Sequence, residues 1–320
     1  MSGMARIGAK WVIALGCCVW LSAPRPVQAY CRSMSCSLGE ARRVEQGGKP
    51  CGRDASGCVS EGQPQHWAGP CIDYAVQVDG SPKLRLDADQ FQQIVEQTFA
   101  AWQHVSCPGG GSPRFQARFQ GFVGCDRHEY VCGDASHNVS TIMFHDTNWA
   151  GPVGVLGITT PTGRTSSGLI DDTDLELDSQ DYPFLIDDSK PGVYELREVL
   201  AHELGHFLGL DHSRVSGALM SEDYAQLWSS RELFTADDVA AICAVFPPGA
   251  PLECGRAPAV AYDACQLTPG VDEECELTTN TSKGCSLGGW APRADVALLG
   301  LFVGVLGLRS RRRAPRGGSC

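Results

Sequence analysis

The sequence predicts an α+β domain. Three observations carry that prediction. Short alternating runs such as Ile72-Asp73-Tyr74-Ala75-Val76-Gln77-Val78 have the period of strands. Phe91, Ile94, Val95, Phe99 and Trp102 recur at helical spacing. Strands then precede two further helical stretches without regular alternation, which is the order of an α+β chain.

The elements follow in order. Residues 30–66 are rich in Cys, Gly and Ser with little periodicity, and read as a disulfide-stapled leader rather than a second core. The first strand ends at the Asp79-Gly80 turn signal. Asp87 caps a helix running to about His104. Phe115–Phe119 and Ser140–Phe144 are further strands. Val155–Thr160 is another, followed by a turn at Pro161 and Gly163, and Leu169–Leu177 closes the set. A second helix is expected from about Val193 to Leu210. A third starts at the N-cap Thr235, with Asp237 and Asp238 in its positive first turn, and ends before Pro247-Pro248. Residues 249–283 turn Cys-rich and polar again, with Thr278–Ser282 reading as linker.

Composition bounds the setting. The 320 residues are 43% hydrophobic with 7 Trp, enough for a core, so wholesale disorder is excluded. A net charge of −11 gives no footprint for nucleic acid but suits bound cations. Sixteen cysteines do not fit a reducing cytosol. Arg6 and Lys10, the apolar run Trp11–Leu21, Pro24, Pro26 and Val27-Gln28-Ala29 read together as an export signal spanning 1–29 and cleaved after Ala29. At the other end, 284–320 carries Gly284-Cys285, an apolar stretch Val296–Leu308 and the cluster Arg309, Arg311, Arg312 and Arg313. Thirteen helical residues reach about 20 Å, a marginal span. That order resembles the myxobacterial C-terminal sorting tails, which implies processing machinery acting near Cys285, transient membrane contact through the short helix, and surface display or secretion. An ordinary membrane anchor is the alternative. Without the two termini, twelve cysteines remain, which permits six disulfides of unfixed pairing.

The chemistry lies in His202-Glu203-Leu204-Gly205-His206-Phe207-Leu208-Gly209-Leu210-Asp211-His212. His202 and His206 are four apart, so a helix points both imidazoles to one side. Two imidazoles can share one Zn²⁺ at about 2.0–2.1 Å each. Glu203 is set beside the metal rather than on it. Gly209 permits a sharp turn that brings His212 round as third ligand. Three ligands leave one position open, the pattern of a catalytic rather than a structural zinc site.

This H-E-x-x-H-x-x-G-x-x-H pattern resembles the metzincin signature. Ser213 after His212, Ala218-Leu219-Met220, Phe234–Val239 and Leu196–Ala201 resemble the matrixin branch in particular. The likeness covers about 67–248. It implies a twisted, mostly parallel sheet with an antiparallel edge strand, three main helices, and the zinc site on the second. It implies that Met220 is the Met-turn methionine beneath the ligands, and that Leu156, Gly157 and Ile158 form the edge that pairs with an extended protein or peptide substrate. It implies a zinc endopeptidase in which Glu203 takes a proton from water and hands it to the leaving amine. Asp171, Asp172, Asp174 and Glu176 are either a Ca²⁺ site, as the family often has near this strand, or a solvated acidic face.

The departures are specific. No histidine lies between His145 and His202, so one zinc is expected rather than two. Pro50-Cys51-Gly52-Arg53-Asp54 faintly resembles the inhibitory cysteine segment of the family, but an even cysteine count favours a disulfide at Cys51. Glu222 stands where astacin-type enzymes place a tyrosine. The competing function is a non-catalytic surface adhesin or binding module on the same fold; a zinc hydrolase of non-peptide substrates is a third.

Overall fold

The computed structural model describes residues 30–128, 130, 138–186, 194–222, 233–257, 260 and 277–279. The expected export signal at 1–29, the expected tail at 284–320 with Cys285, and Cys132, Cys265 and Cys275 lie outside these residues.

A twisted sheet forms one layer and helices the other. The strands are β1 (Cys31–Arg32), β2 (His66–Trp67), β3 (Cys71–Gln77), β4 (Gln116–Val123), β5 (Thr141–Phe144), β6 (Gly157–Arg164), β7 (Leu169–Leu177), β8 (Leu210–Asp211) and β9 (Leu277–Thr279). The helices are α1 (Glu40–Glu45), α2 (Ala88–Gln103), α3 (Leu196–Phe207) and α4 (Ala236–Val245). In the main sheet the order is β4-β3-β5-β7-β6-β9, with β2 added beside the start of β7. β3, β4, β5 and β7 run parallel, and β6 runs antiparallel to β7.

Ile72, Tyr74 and Val76 of β3, Ile142 and Phe144 of β5, and Leu175 and Leu177 of β7 are buried in one core with α2 and α3. α2 begins as expected: Asp87 accepts from Gln90 N, and the Gln90 side chain accepts from Asp87 N, a reciprocal capping box. Its buried positions are Phe91, Ile94, Val95, Thr98, Phe99 and Trp102. Trp102 Nε1 donates to Ala201 O at 3.0 Å, which satisfies the indole while it packs under α3. α3 is buried at ten of its twelve residues. A helix enclosed on nearly every face must find protein partners for any polar side chain it carries.

Several boundaries differ from expectation. α3 starts at Leu196, after the Glu195 N-cap, and stops at Phe207. Gly209 at φ 96° takes the chain into the left-handed region. The turn expected at Pro161 and Gly163 is instead strand, because β6 continues to Arg164 and the chain reverses at 165–168. Pro161 is tolerated there because, among the described residues, β9 covers β6 only at 162–164 and no strand pairs with Pro161 on that side. Leu277–Thr279, which includes the first two residues of the expected linker, is strand β9 paired with those three residues.

Disulfides join Cys31–Cys58, Cys36–Cys51, Cys71–Cys254 and Cys107–Cys243, and Cys125 is also disulfide-bonded. Cys51 is therefore bonded, as its parity implied. Cys71–Cys254 ties the two ends of the domain together and Cys107–Cys243 ties the segment after α2 to α4; loops this long restrict the unfolded chain most. No described helix is long and apolar enough to cross a membrane.

Candidate metal centre

His202 and His206 stand one turn apart on the buried side of α3 and are 0% and 1% exposed. Beyond the Gly209 turn, β8 carries the chain back to His212. The three rings converge: His206 Nε2 lies 3.1 Å from His202 Nε2 and 3.2 Å from His212 Nε2. Among the described residues this is the one group of three or more His, Cys, Asp or Glu whose ligand atoms lie within 4.8 Å of one another.

The hydrogen bonds set the tautomers. His202 Nδ1 faces Leu219 O at 2.6 Å, and His206 Nδ1 faces Leu210 O at 2.9 Å. A carbonyl only accepts, so both Nδ1 atoms carry the proton and both Nε2 atoms present bare lone pairs. Two such lone pairs 3.1 Å apart repel. Nitrogens at about 2.0–2.1 Å around a tetrahedral zinc stand roughly 3.3–3.4 Å from each other, so a shared cation fits the spacing. Burial pushes the His202 imidazole down to about 4, against the opposing pull of the Leu219 carbonyl and Asp238. It is therefore neutral, the ligating form, throughout the physiological range.

Met220 lies under this helix. An ideal Cβ on Gly205 would sit 2.2 Å from Met220 Sδ, so the close approach of methionine to helix requires glycine there. The turn carrying Met220 is held from α4. Asp238, 0% exposed, accepts from Leu219 N at 2.9 Å, Met220 N at 3.0 Å, and both Thr235 N and Oγ1 at 2.8 and 2.7 Å. Leu219 is the residue whose carbonyl orients His202, so Asp238 fixes that imidazole through one intermediary. Sequence reading credited Asp238 only with favouring the helix start.

Glu203 is 0% exposed. Thr159 Oγ1 lies 2.8 Å from Glu203 Oε2 and 3.0 Å from Glu203 O. Thr159 is on β6, next to the expected substrate edge, and its role was not foreseen. Leu156 is 0% and Ile158 8% exposed, and an ideal Cβ on Gly157 would lie 3.1 Å from Glu203 Cγ. The structure thus brings Gly157 and Thr159 against Glu203, while Ile158 points to the opposite face. There it lines a cavity of about 270 Å³ with His128, Trp149, Thr160 and Glu176. Thr159→Val keeps the shape and deletes the hydroxyl. A hydrogen bond to a charged group is worth about 1.5–3 kcal/mol, so cleavage is expected to fall about 10–100-fold. Bound zinc should be unchanged, as metal analysis of the same preparation would check.

The acidic strand divides between faces. Asp171 is on the side of Arg164, with Nε 3.2 Å from its Oδ2. Asp172, Asp174 and Glu176 alternate onto the other face, each with its own donor: Ser140 Oγ at 3.0 Å, Thr141 N at 2.9 Å, and the rings of His128 and His145 at 2.8 Å. The four do not converge on one point. Burial raises Glu176, but hydrogen bonds and charge from His128 and His145 outweigh it and hold the group at about 2. Asp172 is the reverse. Burial pushes it up to about 7, Ser140 and the Thr173 N–H pull it down less, and its Oδ2 has no hydrogen-bond partner among the described residues. The folded chain therefore binds an extra proton between about pH 4 and 7, where the unfolded Asp172 is already ionised. Stability from this group is full below that window and lost as pH rises through it. Asp172→Asn is expected to raise the thermal midpoint at pH 8 more than at pH 4, as paired melting curves would show.

Residues 66–247 match the family model for matrixins, 182 of the 320 residues.

Proposed function

The chain belongs to the matrixin family, and on that premise we propose that it is an exported zinc endopeptidase with His202, His206 and His212 as ligands and Glu203 as catalytic base. Membership implies a catalytic zinc and a protein or peptide substrate. The observation that carries the assignment is the convergence of three Nε2 atoms, two of them unprotonated because a carbonyl on the far side of the ring accepts the hydrogen bond from Nδ1–H.

When bound, zinc supplies a Lewis acid that acidifies water and polarises the scissile carbonyl. The remaining work belongs to the chain. Glu203 holds the water proton on a carboxylate oxygen and returns it to the leaving nitrogen. Thr159 keeps that carboxylate from swinging away. His212, the most exposed of the three ligands with 17% of its side chain accessible, marks the open side of the centre. On the substrate side, β6 offers backbone groups at 157–161, where no described strand is its second neighbour. β9 already pairs antiparallel with the same strand at 162–164, which supports the reading of this edge as one that accepts an extended peptide. Export is supported by the disulfides, which persist in oxidising compartments. Cleavage of the chain after Ala29, and a sorting tail at 284–320, belong to the same proposal.

The test is hydrolysis of casein and of a mixed peptide library by the exported protein. Cleavage that stops on chelation and returns with zinc supports the proposal. Binding of protein ligands without cleavage by the zinc-loaded chain would instead favour an adhesin.

A further inference from the structure

Residues 30–65 meet the metal centre at its turn. β1 pairs antiparallel with β8, Cys31 opposite Asp211 and Arg32 opposite Leu210. One residue further, Ser33 N donates to Gly209 O at 3.0 Å, and Ser33 Oγ donates to Leu210 O at 2.8 Å. Leu210 O is the acceptor that receives the His206 Nδ1–H at 2.9 Å. A serine 177 residues away in the chain thus shares the carbonyl that sets the tautomer of a proposed zinc ligand.

The surroundings hold that serine fast. Ser33 is 1% exposed. Gln65 N donates to Ser33 O at 2.7 Å, and Gln65 Nε2 to Met34 O at 2.9 Å. Gln65 O accepts from Arg32 Nη2 and lies 3.2 Å from where a Cβ on Gly209 would stand. The disulfides Cys31–Cys58 and Cys36–Cys51 bracket Ser33 in sequence. Among the described residues, β1 is the only strand partner of β8.

We propose that Ser33 is a positioning residue for His206, and that residues 30–65 are a permanent wall of the metal centre rather than a removable inhibitory segment. β8 is two residues long and follows a left-handed glycine, so the orientation of its peptide planes depends on hydrogen bonds from outside the strand. The Ser33 amide and hydroxyl pin the two peptide planes that flank Leu210, just after that glycine turn. The His206 Nδ1–H then meets its acceptor in one orientation, and Nε2 stays aimed at the metal. Loss of a ligand's own hydrogen-bond partner typically changes metal affinity about 10–100-fold, and Ser33 acts on that partner, Leu210 O.

The inference rests on the three imidazoles being zinc ligands, and the experiment separates the two. Zinc affinity of the full exported protein is measured by chelator competition for the parent, Ser33→Ala and Ser35→Ala. Ser35 is equally buried in the same segment, but its hydroxyl donates to Thr165 O, away from the metal turn. The expected result is zinc binding weakened about 10–100-fold in Ser33→Ala and unchanged in Ser35→Ala. A cobalt-substituted sample of Ser33→Ala should also show a shifted visible spectrum. Unchanged affinity in Ser33→Ala, or an equal loss in both variants, would overturn the positioning role. A parent that binds no zinc would instead overturn the ligand assignment. N-terminal sequencing of the active form should still find residues 30–65 attached; an active form that begins after them would refute the permanent wall.

Discussion

Glu203→Gln is expected to keep its zinc and lose peptide cleavage by about 10²–10⁴-fold, the usual range for removal of a general base. The substitution is nearly isosteric. Glu203 is fully buried and is not one of the three converging histidines. The amide can still accept from Thr159 through its oxygen, so packing and metal site are retained. What disappears is the capacity to take a proton. The diagnostic is the split between two measurements on one preparation: metal content unchanged and turnover lost. A variant that lost both would point to a structural role for the carboxylate. A variant that kept turnover would remove Glu203 from the mechanism.

The second large effect concerns stability. Asp238→Ala deletes an acceptor used by four donors, two of them backbone amides of the Met220 turn. The Leu219 and Met220 amides would lose their partner where water does not reach, at about 1–3 kcal/mol each, so a loss of about 2–5 kcal/mol is expected. Against a total stability of about 5–15 kcal/mol that is a substantial fraction. Urea unfolding of the metal-free protein should show the loss directly. The metal-loaded protein should show a larger one, since release of the 219–220 turn also frees the carbonyl that orients His202. A loss below about 1 kcal/mol would mean that the Met220 turn holds its shape without α4.

The part of the centre legible in the sequence is the part built by local geometry. His202, Glu203 and His206 are related by helix period, and Gly209 and His212 by one turn. The residues missed act across the fold. Thr159 reaches Glu203 over 44 residues, and Ser33 reaches Leu210 over 177. A lone serine in a Cys-rich stretch carries no periodic signal of such a contact. Asp238 was visible, but local rules account for an acid in a first helical turn without reference to the 219–220 turn it also holds. The same limit explains Pro161 and Gly163. Local propensity reads them as a turn, whereas pairing with β7 extends β6 through both. The parallel sheet and its antiparallel strand came with the family resemblance; strand periodicity alone left their order open. The acidic run at 171–176 shows the remaining gap: composition indicated charge, but only the strand pleat assigns Asp171 to one face and its neighbours to the other.

Zinc content decides most directly, measured on the folded protein beside a variant with His202, His206 and His212 all changed to alanine. Secondary structure is measured on both to confirm folding. The account predicts about one zinc per chain in the parent, held against a weak chelator, and about one fewer in the variant. A well-folded parent without zinc, or a variant that retains the same amount, would contradict the central claim.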